Sequence, residues 1–148
     1  MGQLLIILLP TDQHGMKRAK EFTVLYVDDE TPNLRGFKSA FRRLYNVHIA
    51  DHPNKGIDIV KEEKIDIVVS DHRMPDLIGT DFLREVHNFN PQIRRIILSG
   101  FVKKEELKEA NDEFGIHAYI SKPWDFEDVQ AIFTRLMAVE NPDKMTYE

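Results

Sequence analysis

Five short apolar runs, each followed by a stretch with helical spacing, set the pattern of the chain. Phe22-Thr23-Val24-Leu25-Tyr26-Val27 reads as a first buried strand. Asn46 to Ala50, Ile65 to Ser70, Arg94 to Leu98 and His117 to Ile120 supply four more. Val and Ile stand side by side in them without alternation, which suits strands covered on both faces of a parallel sheet. The intervening segments repeat apolar residues on one helical face. Leu34, Phe37, Phe41 and Leu44 mark the first helix, and Ile57 and Val60 a weaker one from Asn54 to Lys64. Phe82, Leu83, Val86 and Phe89 mark the third. The fourth, Lys103 to Phe114, is highly charged and has only Leu107, Ala110 and Phe114 as anchors. Phe126, Val129, Ile132, Phe133 and Leu136 line the fifth. Thr31 is the expected cap of the first helix with Pro32 at its first position, and Asp125 caps the last. Arg35, Lys38, Arg42 and Arg43 fall mostly off the apolar stripe of the first helix and are expected in solvent.

A fivefold strand–helix alternation predicts an α/β fold, an open parallel sheet with helices on both faces joined by right-handed crossovers. The 148 residues suit one domain with a real core, and no linker or repeat divides them. Residues 22–139 are expected to form that domain. Residues 1–21 read as an N-terminal extension and residues 140–148 as a polar tail after Asn141-Pro142. Within the extension, Leu4-Leu5-Ile6-Ile7-Leu8-Leu9 is too short to span a bilayer and lacks the flanks of a signal peptide. Met16-Lys17-Arg18 is a second plausible start. The apolar run is expected to cover an apolar surface of this chain or a neighbour.

Composition narrows the chemistry. A net charge of −5 argues against general nucleic-acid binding. The chain has no Cys, which removes disulfides, thiol catalysis and cysteine metal sites and fits a reducing, cytoplasmic setting. A parallel α/β sheet presents its chemistry beyond the carboxyl ends of its strands. There the first strand offers Asp28 and Asp29, the third Asp71, the fourth Ser99 and the fifth Lys122. Three carboxylates repel one another by roughly 1 kcal/mol per pair at 4 Å in water and about 4 kcal/mol when partly buried. Oxygen-only ligands point to Mg²⁺ as the balancing cation, a metal that keeps waters and pairs with phosphate. With Lys122 and Ser99 added, the set suits a phosphoryl group, and a carboxylate can itself accept one. Asp71, alone on the central strand, is the best acceptor.

Val27-Asp28-Asp29-Glu30, Ser70-Asp71-His72-Arg73-Met74-Pro75 with Gly79, Leu98-Ser99-Gly100, and Tyr119-Ile120-Ser121-Lys122-Pro123-Trp124 together resemble the receiver domain of bacterial two-component response regulators. The likeness runs from about Phe22 to Val139. It implies a flavodoxin-like fold with strand order 2-1-3-4-5. It implies Asp71 as phosphoacceptor, Asp29 as direct Mg²⁺ ligand, Asp28 acting mainly through water, and the backbone carbonyl of Arg73 as a further ligand. Ser99 would bond the phosphoryl group, Lys122 would pair with Asp71 and then with phosphate, and Tyr119 would be the switch aromatic. The Lys122-Pro123 bond is expected to be cis. A histidine kinase or phosphotransfer protein would be the donor, and an effector or output domain the reader of the fourth-helix, fifth-strand, fifth-helix face. A homodimer is a further partner to consider; neither nucleic acid nor membrane is expected to bind this domain directly. The implied role is a signalling receiver that assists its own phosphorylation and dephosphorylation, not an enzyme for a separate metabolite.

Arg73, at the mouth of the site, is a candidate modulator of the phosphorylated state's lifetime, with a solvated Arg as the plain alternative. His72 is expected to take no part, since adjacent strand-end side chains diverge. Gly100 is small, as access for a phosphodonor requires, and Trp124 suits packing or a partner surface. Three competitors remain. A haloacid dehalogenase-type phosphatase would place its nucleophile on the first strand in an Asp-x-Asp arrangement, unlike Asp28-Asp29. A phosphorylation-independent scaffold would not require the whole acidic, Ser and Lys set. A flavin binder would need a phosphate cradle where this chain is acidic.

Overall fold

The computed structural model describes residues 20–145. Five parallel strands lie in the order 2-1-3-4-5: β1 (Thr23–Val27), β2 (Asn46–Ala50), β3 (Ile67–Ser70), β4 (Arg94–Ser99) and β5 (Ala118–Ser121). Helices α1 (Thr31–Phe41), α2 (Pro53–Glu62), α3 (Gly79–Phe89), α4 (Lys104–Glu113) and α5 (Phe126–Met137) alternate with them. Strand residues divide their side chains between two cores, as the twofold strand repeat requires. Val24, Tyr26, Ile67, Val69, Ile96 and Leu98 meet α1 and α5 on one face. Leu25, Val27, Val68 and Ile97 meet α2, α3 and α4 on the other. The first face is rich in aromatics: Phe41 alone packs against Phe37, Tyr45, Phe126, Phe133 and Trp124.

Several sequence expectations shift locally. Glu30, not Thr31, is the N-cap residue of α1, and no side chain caps that end. Asp28 instead takes the Glu30 N–H, so the acidic loop itself closes the entry to the helix. Asp125 stands at the N-cap position of α5 without a side-chain cap bond. His52 caps α2, its Nδ1 accepting from Asn54 N–H. Phe89 is not on the buried face of α3 but 50% exposed, because the helix ends there and the chain turns away. Arg35, Lys38, Arg42 and Arg43 are exposed as expected.

Arg94 and Arg95, at the start of β4, are buried. The ion pairs of the described residues include neither. Arg94 donates to the carbonyl of Leu136, in the last turn of α5, and to those of Val139 and Glu140 just past it. Arg95 donates to those of Phe114 and Gly115, just past α4, and to Pro91 and Ile93. Each guanidinium thus sits on the negative end of a helix and on carbonyls the helix leaves unpaired. Burial pushes the Arg95 guanidinium down to about 10.

The tail is held rather than loose through residue 145. Met145 N–H donates to Ile116 O, the Asn111 amide donates to Met145 O, and Lys144 Nζ donates to Asn111 O. The expected packing of residues 4–9, and residues 146–148 of the tail, lie outside the described residues. Among the described residues no helix is long and apolar enough to cross a membrane.

Candidate functional site

Strand register brings the strand-end residues together. Val27 pairs with Ser70, Ser70 with Ile97, and Ser99 with Ser121. Backbone bonds carry the alignment one step past the strands: Asp71 N–H donates to Val27 O, and Lys122 N–H to Ser99 O. The chain runs outward from β1 to β2 on one side and to β3 on the other, so the β1–β3 seam is the topological switch point where α/β sheets bind ligands. Asp28 and Asp71 flank that seam.

Asp28, Asp29 and Asp71 each offer a carboxylate oxygen, all within 4.8 Å of one another. Asp28 is fully buried and Asp71 6% exposed, while Asp29 faces solvent. Oxygen donors alone form this cluster, a set that could hold a hard metal ion. Lys122 Nζ bridges Asp28 Oδ2 at 2.9 Å and Asp71 Oδ2 at 3.3 Å. Burial, the largest influence on that ammonium, favours its neutral form. The hydrogen bond and charge of Asp28, with the charge of Asp71, outweigh it and raise the Lys122 pKa above its ordinary value.

Two supporting residues escaped the sequence reading. The Tyr26 hydroxyl donates to Asp28 Oδ2 at 2.6 Å, and Asn33 Nδ2 donates to the same oxygen at 3.1 Å. Burial first, then the Asp28 carboxylate, holds the Tyr26 phenol well above its ordinary pKa, so it remains a donor. Strand periodicity contained a signal, because residues two apart share a face. Asn33 has no comparable signature; only the fold brings the first turn of α1 over the acidic loop.

Asp71 Oδ1 accepts the His72 N–H at 2.7 Å, and His72 O accepts the Gly79 N–H at 2.8 Å. The loop from β3 to α3 is therefore closed tightly around the carboxylate. Ser99 reaches the rim, buried, but its hydroxyl is turned to the Phe101 carbonyl at 3.3 Å rather than to the carboxylates. The Tyr119 hydroxyl donates to Ser99 O at 3.4 Å, from a half-buried ring. Arg73 is exposed, with its guanidinium 5.4 Å from the Phe101 ring centroid. Lys122-Pro123 is cis. Trp124 packs on Phe37 and Phe41 of α1. The His72 ring is buried beside α4, with its Nε2 3.2 Å from Glu106 Oε1.

Residues 24–134 match the family model described as response regulator receiver domain. The chain is 33% identical over 105 residues to the hydrogenase transcriptional regulatory protein HoxA of Cupriavidus necator, covering 71% of this chain and 22% of that protein. It is 30% identical over 116 residues to the transcriptional regulatory protein ZraR of Escherichia coli K12, covering 78% of this chain and 26% of that one. It thus spans about a quarter of the length of these relatives. The crystal structure of a response regulator receiver domain protein from Clostridium thermocellum superposes with a TM-score of 0.74 at 28% identity, covering 80% of this chain and 95% of that one.

Proposed function

The chain belongs to the response regulator receiver domain family, and on that premise we propose that it is the phosphoacceptor of a two-component phosphorelay, with Asp71 as the acceptor. The observation that supports this most is the Lys122 ammonium bridging two buried carboxylates at the switch point, with a third within 4.8 Å. A donor phosphohistidine on a histidine kinase or phosphotransfer protein delivers the phosphoryl group. An Asp71 carboxylate oxygen attacks phosphorus, the P–O bond forms as the P–N bond breaks, and the imidazole nitrogen leaves with the electron pair and takes up a proton. Asp28, Asp29, Asp71 and the Arg73 backbone carbonyl would hold Mg²⁺, which supplies neutralisation of the phosphoryl oxygens' charge. Lys122 exchanges its carboxylate partner for a phosphoryl oxygen, and Ser99 turns its hydroxyl from the Phe101 carbonyl toward another.

As Ser99 moves, Tyr119 repacks and the surface of α4, β5 and α5 changes, which an effector or output domain reads. The switch works to the extent that one arrangement binds phosphate or partner better than the other. The domain promotes its own phosphorylation and hydrolysis and turns over no separate metabolite. Arg73, stacked at the mouth, modulates access of water to the acyl phosphate. The setting is cytoplasmic, and a homodimer through the switched face is one form of output.

The test is intact mass after exposure to acetyl phosphate with Mg²⁺, for wild type and Asp71→Asn. One added phosphoryl mass that requires Mg²⁺ and is lost in the variant is the expected result. No adduct, no Mg²⁺ binding and no uptake of beryllium fluoride would together overturn the reading in favour of a scaffold that works without phosphorylation.

A further inference from the structure

Ser99 and Tyr119 form one connection between the acidic site and the α4 side of the fold; His72 forms another. Its backbone N–H donates to the Asp71 carboxylate at 2.7 Å, and its carbonyl fastens the loop through Gly79. Its ring, 2% exposed, meets Glu106 Oε1 on the first turns of α4 through Nε2 at 3.2 Å. One residue therefore holds the acceptor carboxylate with its backbone and α4 with its side chain.

Two features give that contact leverage. First, α4 has little apolar anchoring: its buried residues are Leu107, Ala110 and Asn111. Polar ties set its position, with Glu106 on His72 near one end and Glu113 on Arg84 at the other, at 2.8 and 3.0 Å. Second, the His72 ring is not satisfied where it stands. A carboxylate only accepts, so Nε2 must carry the proton given to Glu106. Nδ1 is then buried without a hydrogen-bond partner among the described residues. A buried unpaired polar atom carries a real cost, so the contact persists against an arrangement in which the ring is released. A cleft of about 310 Å³, lined by His72, Met74, Ile78, Lys103 and Glu106, gives ring and helix room to part.

The contact coexists with Lys122 on Asp28 and Asp71 and with Ser99 on the Phe101 carbonyl. Those are the groups that the phosphoryl reading reassigns to phosphoryl oxygens. We propose that the His72–Glu106 hydrogen bond is a latch, with His72 as a positioning residue, that ties α4 to the phosphoacceptor loop and opposes occupation of the acceptor site by a phosphoryl group. The inference rests on the reading of Asp71 as phosphoacceptor. By reciprocity of coupling, breaking the latch tightens phosphoryl binding, and phosphoryl binding loosens the latch.

The test is calorimetric titration of the whole chain with beryllium fluoride at saturating Mg²⁺. Glu106→Ala should bind about three- to tenfold more tightly than wild type, the range set by one net hydrogen bond. Glu106→Gln keeps an acceptor for Nε2–H and should behave as wild type. Glu105→Ala, which removes the same charge from the neighbouring exposed position, should do so too. In a His72→Leu background, Glu106→Ala should have no further effect. Hydrogen exchange in the first turn of α4 should quicken in Glu106→Ala and not in Glu106→Gln. Unchanged or weaker binding in Glu106→Ala overturns the latch. Equal tightening in Glu106→Gln or Glu105→Ala also overturns it and assigns the effect to charge alone. A wild type that takes up no beryllium fluoride, binds no Mg²⁺ and gains no phosphoryl mass from acetyl phosphate overturns the phosphoacceptor reading itself, and the latch with it.

Discussion

Gly79→Ala tests how tightly the acceptor loop is closed. A Cβ at that position would stand 2.2 Å from the Asp71 carbonyl oxygen and 2.8 Å from His72 Cα. Both are backbone atoms, so no rotamer change relieves the clash. The Gly79 N–H that donates to His72 O would have to move away with them. Overpacking costs about 1–3 kcal/mol where side chains adjust, and a backbone clash belongs at or above the upper end. About 3 kcal/mol lowers the melting temperature of a domain this size by roughly 10 °C. Because the displaced atoms belong to Asp71 and His72, phosphorylation by acetyl phosphate should slow as well. Gly36→Ala supplies the counterpart, since it lies in α1 on the exposed face with nothing within 4 Å of a new Cβ. There the helix should gain roughly 0.5–1 kcal/mol, a rise of about 2–4 °C. Calorimetric melts of the three proteins, with phosphorylation rates by intact mass, decide the matter. A Gly79→Ala protein that melts within about 2 °C of wild type and phosphorylates normally would refute the close contact.

The His117 ring is pushed down to about 4, first by burial and then by the positive charges of Arg95 and Arg94. The unfolded chain binds this proton below about 6.5 and the folded chain only near 4. The stability it contributes is therefore present above pH 6.5 and lost as pH falls through that window. The loss should reach roughly 3 kcal/mol. His117→Asn, which keeps an acceptor for the Arg95 N–H now on Nδ1, should flatten that part of the urea-measured profile, and parallel profiles would count against it. Asn111→Ala removes the side chain that takes Ile116 N–H at 2.8 Å and donates to Met145 O at 2.7 Å. It should cost about 1–3 kcal/mol and speed exchange of the Met145 amide, whose protection would otherwise remain at the wild-type level.

The elements were legible because their signals are local. Unalternating Val and Ile runs, Thr31-Pro32 and the apolar helix stripes each depend on a few neighbouring residues. So does the ordering of Asp28, Asp29, Asp71, Ser99 and Lys122 at successive strand ends, since a parallel sheet turns sequence order into one rim. Contacts that need two distant elements were not legible. Nothing near Arg94 or Arg95 announces that a guanidinium will seat on the carboxyl end of a helix. Nothing near Asn111 announces Met145, and a tail that looks polar and free is pinned there. Phe89 shows the converse limit: its spacing fits the buried stripe of α3, but the helix ends beneath it and leaves the ring in solvent. Asp125 likewise occupies a cap position without making the bond its residue type suggests.

The two faces of the sheet hold the site differently, and that difference bears on how a chemical event at one carboxylate could move a surface. Asp28 and Lys122 belong to the aromatic face. Tyr26 and Asn33 bind Asp28 from β1 and α1, and Lys122 leads through Pro123 into Trp124, which packs on Phe37 and Phe41 of the same helix. That side is fixed by large rings in mutual contact, the kind of region that opens only with the whole fold. Asp71 belongs equally to the other side, where its loop closes through His72 and Gly79 toward an α4 with few apolar anchors. Such a helix lies at the low end of local stability. The charged partners of the acceptor are thus held still while the acceptor's own loop is tied to the part of the molecule that yields most readily. On the reading of Asp71 as phosphoacceptor, a phosphoryl group competing for Lys122 would meet most resistance at β1 and α1, and the strain it introduces would be relieved where resistance is least, at the loop after β3 and at α4.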